Sequence, residues 1–285
     1  MFELNQSSMV DSLVEGWVKH FGPADRSITW LDVEREFSIN LDEHTILVGK
    51  IDAIGRTKDG DTFFMEIKSQ KAPPAYKKFE WKQTYRMNFQ TLTYGVVVDL
   101  LYPGTRRYSV RKAFKSTPPT FDHEWFSYST EEIEWWRSEL INIAEEIRRW
   151  RSSRVIPWAP NFGHHCFKYG PNYVCPYFES ACSKLDWNGV PENHLPRVSH
   201  LEIERKLIAE NLGIAAQKLD KKLVILGASR VDTYRGCNER YRRDHEGSAL
   251  VEPLMEPMNE ALETGAGMHK LLEQWYLKLK KEQAG

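Results

Sequence analysis

Asp52, Glu66 and Lys68 are the residues of this 285-residue chain best placed to do chemistry. Glu66 and Lys68 form an E-x-K triplet in Phe63-Phe64-Met65-Glu66-Ile67-Lys68, and Asp52 closes the apolar run from Thr45 to Ile51. Alternate side chains of a strand share a face, so Glu66 and Lys68 project together while Ile67 points into the core. A turn at Lys58-Asp59-Gly60-Asp61 returns the chain as a hairpin and brings Glu66 beside Asp52. Two converging carboxylates are hard oxygen ligands suited to Mg²⁺ or Mn²⁺. A divalent cation held there can bind a phosphodiester and activate water, with Lys68 orienting that water or offsetting charge in the transition state. An isolated E-x-K is commonly a solvated ion pair. Here the apolar neighbours Phe63, Phe64, Met65 and Ile67 make the strand a central one, where buried charge is costly unless it is used.

Gln90 and Tyr94 stand four apart on a helix-like segment. Taken with Gly49-Lys50-Ile51-Asp52 and the E-x-K triplet, they make the chain resemble the PD-(D/E)XK nuclease superfamily, and more narrowly its RecB-like branch. The motifs of that branch run G-x-x-x-H, G-x-I-D, (D/E)-x-K and Q-x-x-x-Y, and the match covers most of the chain. The resemblance implies an α/β restriction-endonuclease-like core, a central mixed sheet flanked by helices. It also implies a metal-dependent DNA nuclease, an exonuclease acting on DNA ends or single strands in recombination, repair, phage replication or CRISPR-type processing. A helicase or other recombination or CRISPR protein would be its partner.

By the same resemblance Asp52, Glu66 and the backbone carbonyl of Ile67 are metal ligands and Lys68 is the catalytic lysine. Gln90 and Tyr94 would position that lysine and the DNA backbone. The family often adds an acidic residue on the strand before G-x-I-D, where Glu34 and Glu36 share a face and Glu34 is favoured. Gly265-Ala266-Gly267-Met268-His269 fits G-x-x-x-H at the head of an amphipathic helix, which makes His269 a further ligand. Imidazole added to carboxylates shifts preference somewhat toward Mn²⁺ over Mg²⁺.

The four cysteines, Cys166, Cys175, Cys182 and Cys237, carry a second signal. The opening residues Met1-Phe2-Glu3-Leu4-Asn5-Gln6 lack a basic region followed by an apolar one, so an intracellular, cytoplasmic and reducing location is expected and structural disulfides are not. Eight residues separate Cys166 from Cys175 and six separate Cys175 from Cys182, which is loose for a zinc ribbon built on close pairs. In RecB-like nucleases that carry iron and sulfur, including AddB-type and CRISPR-associated exonucleases, one cysteine near the nuclease start joins three beyond Q-x-x-x-Y. That resemblance implies a [4Fe-4S] cluster on all four cysteines in a small iron-sulfur lobe. Zn²⁺ on the same cysteines and unrelated buried thiols are the alternatives.

The motif order departs from the family. The segment around Cys237 and the G-x-x-x-H motif would usually precede G-x-I-D, yet both come last here. Circular permutation of one domain is the favoured reading; a truncated nuclease followed by the start of a second copy is the other. Permutation divides the chain into a nuclease core over 1–162, a cysteine loop over 163–187, a helical linker over 188–222 and the usual N-terminal part over 223–285. It also predicts that Met1 and Gly285 lie within a short loop's reach.

The elements that must position these residues follow from local pattern. Ser7 or Ser8 caps a helix carrying Val10, Leu13, Val14, Trp17 and Val18 that stops near Gly22-Pro23. Strands follow at 29–40, 45–52 and 62–68, and a helix at about 77–93 comes after Pro73-Pro74. The run 94–101 reads as a further strand, turned at Pro103-Gly104 into another at 106–114. Ser129-Thr130-Glu131-Glu132 is a capping box for a helix with Ile133, Trp136, Leu140, Ile143, Ile147 and Trp150 on one face. A helix also begins at Ser199, carrying Leu201, Ile208, Leu212 and Leu219.

With 41% hydrophobic residues the chain can bury a substantial core, and no stretch is long and apolar enough for a membrane span. A net charge of -1 excludes a uniformly basic nucleic-acid coat. Local runs remain: Lys68, Lys71, Lys77, Lys78 and Lys82 lie at and after the E-x-K, and Arg235, Arg240, Arg242 and Arg243 flank Cys237. A non-catalytic iron-sulfur DNA clamp is the rival function, which the set Asp52, Glu66 and Lys68 argues against because a clamp does not need it.

Overall fold

A computed structural model describes residues 3–71, 84–152, 175, 177–178, 182, 194–196, 223–237, 241, 251–253 and 260–284. In chain order the elements are α1 (Glu3–Asp25), β1 (Thr29–Asp42), β2 (Thr45–Arg56), β3 (Thr62–Lys71), α2 (Phe89–Leu101), β4 (Arg107–Lys115), β5 (Thr120–Ser127) and α3 (Thr130–Ser152). Then come β6 (His194–Pro196), β7 (Val224–Leu226), α4 (Ala228–Gly236), β8 (Val251–Pro253) and α5 (Glu260–Ala284). The chain forms two compact units. One holds 1–38, 49–137 and 258–285, the other 39–48 and 138–257.

The fold is α/β, with a mixed sheet flanked by helices. In the first unit the second half of β2 pairs antiparallel with β3, β3 parallel with β4, and β4 antiparallel with β5. Alternation sorts the β3 side chains. Phe63, Met65 and Ile67 enter one apolar cluster with Leu13, Trp17 and Phe21 of α1 and Met268, Leu272 and Tyr276 of α5. Phe64, Glu66, Lys68 and Gln70 take the opposite face, where Phe64 stacks on Tyr108 and its ring meets that of Tyr94 on α2. One face of the sheet is thus closed by α1 and α5 and the other by α2 and the start of α3, whose Trp136 donates to Thr93.

The strands expected at 29–40, 45–52 and 62–68 and the capping box are present. Glu132 N–H donates to Ser129 Oγ at 3.1 Å and Ser129 N–H donates back to Glu132 at 2.8 Å. The run 94–101 is a correction: it belongs to helix α2, so no hairpin joins it to β4. Every residue from Thr91 to Val98 is buried, so the helix is covered on every side and leaves no amphipathic period to read. Asn88 caps it by accepting the Gln90 N–H. Helix α1 starts earlier than expected and runs past Gly22-Pro23 to Asp25, whose buried carboxylate is fixed by Arg111.

Helices α1 and α5 run parallel. Gly267 lies against Val10, Tyr276 against Trp17 and Asp25, and Gln283 bonds to Ile28 and Trp30 beyond the end of α1. The start of α1 and the end of α5 therefore lie at opposite ends of a helix pair about 35 Å long. Met1 and Gly285 themselves, whose closeness the permutation reading predicts, lie outside the described residues.

In the second unit the first residues of β2 pair parallel with β7, Thr45 to Val224 through Leu47 to Leu226. Strands β6 and β8 form a separate antiparallel pair. Most of the cysteine loop at 163–187, the linker at 188–222 and the helix expected from Ser199 lie outside the described residues, as do Lys77, Lys78, Lys82, Arg240, Arg242 and Arg243. Among the described residues no helix is long and apolar enough to cross a membrane.

Candidate active site

The two motif glycines are explained by close approach. A Cβ at Gly49 would stand 2.7 Å from the Phe37 ring, so Gly49 lets β1 press onto β2. A Cβ at Gly265 would stand 3.2 Å from Ser69 Oγ, so Gly265 lets the start of α5 approach the end of β3 one turn before His269.

The β2–β3 ladder ends at the pair Ala53 and Met65, immediately before Asp52 and Glu66. Beyond it the Ile67 N–H is taken by Asp52 Oδ2 at 2.6 Å instead of by β2 backbone. A side chain replaces the ladder here, and the bond holds the carboxylate in place. Asp52 Oδ1 lies 3.8 Å from His269 Nδ1, and the Ile67 carbonyl side of the peptide faces the same imidazole. Glu34, Asp52 and His269 each place one ligand atom within 4.8 Å of the others. Glu34 adopts φ +49°, a left-handed conformation that non-glycine residues rarely hold, and Lys50 ion-pairs it at 2.5 Å. Glu36 is exposed and lies outside this three-residue group.

Glu66 is 1% exposed. Its Oε1 pairs with Lys68, while Oε2 is buried and, among the described residues, has no hydrogen-bond partner. Burial raises the Asp52 carboxyl to about 7, opposed by the Ile67 N–H and the Lys68 charge. Burial and then the Asp52 charge raise Glu66 to about 7 as well. Burial pulls the Lys68 ammonium down, but the Glu66 carboxylate overrides it and holds Lys68 above its ordinary value. Burial lowers His269, which keeps the imidazole neutral and able to donate a lone pair. Two desolvated carboxylates, an orphaned carboxylate oxygen and a neutral imidazole are a donor set that fits a hard divalent cation.

Lys68 Nζ donates to Gln90 Oε1 at 3.0 Å, and Gln90 Nε2 donates to the Tyr94 hydroxyl at 3.1 Å. One turn of α2 thus holds the lysine against Glu66. All of Asp52, Glu66, Lys68, Gln90, Tyr94, His269 and Glu34 fall in the first compact unit.

Several residues of this site escaped the sequence reading. Lys50 occupies the variable position of G-x-I-D, and strand alternation places it with Asp52. Lys112 lies directly across from Lys68 on β4 and is 2% exposed. Tyr85 sets its ring 4.7 Å from the Lys112 ammonium, and its hydroxyl is held above its ordinary value by burial, with the Lys68 and Glu66 charges acting on it in opposite senses. No local spacing announces contacts made across strands.

Of the cysteines, Cys166 lies outside the described residues. Cys175 is half-buried, Cys182 and Cys237 are buried, and all three belong to the second unit. Arg235 pairs with Glu139, and Trp125 packs edge-on against Phe63. No protein-family model matches the chain, and no curated protein is similar to it.

Proposed function

We propose that this protein is a divalent-metal-dependent deoxyribonuclease of the PD-(D/E)XK kind and RecB-like branch, acting on DNA ends or single strands. The observation that carries the reading is the convergence of Glu34, Asp52 and His269 beside a buried Glu66–Lys68 pair at the point where the β2–β3 ladder ends. Asp52, Glu66, His269 and the Ile67 carbonyl, with Glu34, would hold Mg²⁺ or Mn²⁺. When bound, such a cation supplies Lewis acidity toward a phosphoryl oxygen and lowers the pKa of coordinated water.

The chain's own residues do the rest. Asp52 is oriented by the Ile67 N–H, so its second oxygen points toward His269. Lys68 keeps its proton, placing a fixed positive charge next to the reacting phosphate where negative charge grows in the transition state. Gln90 and Tyr94 stop the lysine from swinging away. Lys50 neutralises Glu34 and limits the repulsion among three carboxylates.

Permutation of one domain remains our reading of the motif order, supported by His269 reaching Asp52 within one chain. The four cysteines are assigned to a [4Fe-4S] cluster, with Zn²⁺ as the alternative. That assignment rests on the resemblance of the one-plus-three cysteine order to the iron-sulfur RecB-like nucleases; Cys175, Cys182 and Cys237 fall in one unit. Iron and sulfide content of anaerobically purified protein separates the two.

The decisive experiment incubates that protein with end-labelled single- and double-stranded DNA and Mn²⁺. Wild type should cut, and Lys68→Ala, which opens no core cavity, should abolish cutting while remaining folded. Cutting by Lys68→Ala at the wild-type rate would overturn the assignment.

A further inference from the structure

We infer that Gln70 is a DNA-phosphate-binding residue held in its donor orientation by Lys112, an assignment that rests on the nuclease reading above. Gln70 follows Lys68 by two residues on β3, so both side chains stand on the same face of the sheet. Lys112 lies in register with Lys68 on the parallel strand β4, with Asp122 of β5 opposite it on the other side. Lys112 Nζ donates to Gln70 Oε1 at 3.1 Å.

The direction of that bond fixes the amide. An ammonium group only donates, so Gln70 must turn its oxygen toward Lys112 and its NH₂ away from it. The same logic operates one position earlier: Lys68 binds Gln90 Oε1 and thereby turns Gln90 Nε2 onto Tyr94. Two lysine-to-glutamine units therefore lie side by side on one face. The Lys68 unit is spent inside the site. The Lys112 unit presents two N–H donors on the half-buried Gln70.

What those donors meet follows from position. Gln70 is about 7 Å along the strand from Lys68, comparable to the spacing of successive phosphates on a nucleic-acid strand. With the scissile phosphate beside Lys68 and Glu66, the amide faces a neighbouring, unreacting phosphate. Lys112 is 2% exposed and covered by the Tyr85 ring, so it acts through Gln70 as a positioning residue and does not itself touch the substrate. Burial and the Lys68 charge both disfavour the Lys112 ammonium, and the Asp122 carboxylate opposes them.

The test uses the full chain with Ca²⁺ in place of Mn²⁺ for binding and Mn²⁺ for cutting, on oligonucleotides carrying a single neutral methylphosphonate at each linkage near the cut. In wild type one substitution beside the cut should weaken binding roughly tenfold, the size expected for a hydrogen bond to a charged group. In Gln70→Ala that same substitution should cost nothing further, because the contact is already gone. Lys112→Met should reproduce Gln70→Ala, and Gln70→Glu, which keeps a partner for Lys112 but faces the phosphate with a carboxylate, should bind more weakly than Gln70→Ala. In each variant KM should rise with kcat little changed. If Gln70→Ala retains the full methylphosphonate penalty, or Gln70→Glu binds as tightly as wild type, the assignment is wrong while the nuclease reading stands. If wild type itself neither binds nor cuts DNA, both fall.

Discussion

Asp52 Oδ2 accepts the backbone N–H of Ile67 at 2.6 Å, and this one bond ties the G-x-I-D strand to the E-x-K strand where their ladder ends. The bond leaves Oδ1 facing His269, so the residue that organises the strands also begins the candidate metal centre. Glu34 closes it from β1 in a backbone conformation that side-chain-bearing residues avoid. Strain held at a converging carboxylate is consistent with a position shaped for binding rather than for strand geometry.

Glu34→Gln should therefore raise the Mn²⁺ concentration giving half-maximal cutting by roughly tenfold or more, with the thermal midpoint without metal unchanged or higher. Removing one of three crowded carboxylates relieves repulsion while removing a ligand. A metal titration of activity, paired with melting curves, checks both halves, and an unchanged Mn²⁺ requirement would remove Glu34 from the ligand set.

The carboxyls of Asp52 and Glu66 are both raised to about 7, against ordinary values of 3.8 and 4.5. Folded protein thus binds protons more tightly than unfolded chain at these groups, which titrate as a coupled pair. Their contribution to stability is fully present below about pH 4 and is lost as pH rises through about 7. A divalent cation competes with those protons. The rise in melting temperature caused by Mn²⁺ should accordingly be small near pH 5.5 and larger near pH 8. Melting curves of wild type and Asp52→Asn at the two pH values test this; a metal effect independent of pH would be inconsistent with protonated carboxyls in the metal-free site.

The strands β1, β2 and β3 were readable because period-two alternation and the Asp59-Gly60 turn agree on one answer. Gln90 and Tyr94 were placed correctly on a helix for the simple reason that their spacing is one turn. The remainder of α2 was misread because Val96-Val97-Val98 is β-branched and buried on every side, and neither periodicity nor propensity separates such a helix from a strand. Asn88, the cap that marks its start, was the available signal. Lys112, Tyr85 and Gln70 were invisible for another reason: their roles come from register between β3 and β4, which sequence-local patterns do not encode. The parallel run of α1 and α5 likewise depends on contacts between residues more than 250 positions apart.

Gln90→Ala should lower kcat on the order of 100-fold while leaving KM near its wild-type value, because Lys68 loses its tether but the substrate contacts remain. Tyr94→Phe should act in the same direction and less strongly, since Gln90 keeps its bond to the lysine. Steady-state kinetics on end-labelled DNA separate the two constants. A change confined to KM would place Gln90 on the substrate instead of on Lys68.

The last expectation concerns how α5 is anchored, because His269 is delivered by that helix. Two turns beyond His269, the Tyr276 hydroxyl donates to Asp25 Oδ2 at 3.0 Å and accepts from Trp17 Nε1 at 3.0 Å and Arg111 Nη1 at 3.1 Å. Arg111 also binds Asp25 at 2.6 Å, and the pair is 2% and 0% exposed. Arg111→Met leaves a buried carboxylate without its cation and should destabilise the fold by about 3–5 kcal/mol. The double variant Asp25→Asn with Arg111→Met should recover much of that loss, since the uncompensated charge is gone. Tyr276→Phe keeps the packing and removes only the hydroxyl, so it should cost about 1–3 kcal/mol and weaken Mn²⁺ binding by loosening α5 under His269. Denaturant unfolding with and without Mn²⁺ reads both effects. If Tyr276→Phe lowers stability but leaves Mn²⁺ affinity untouched, the hydroxyl cluster holds the helix without setting the reach of His269.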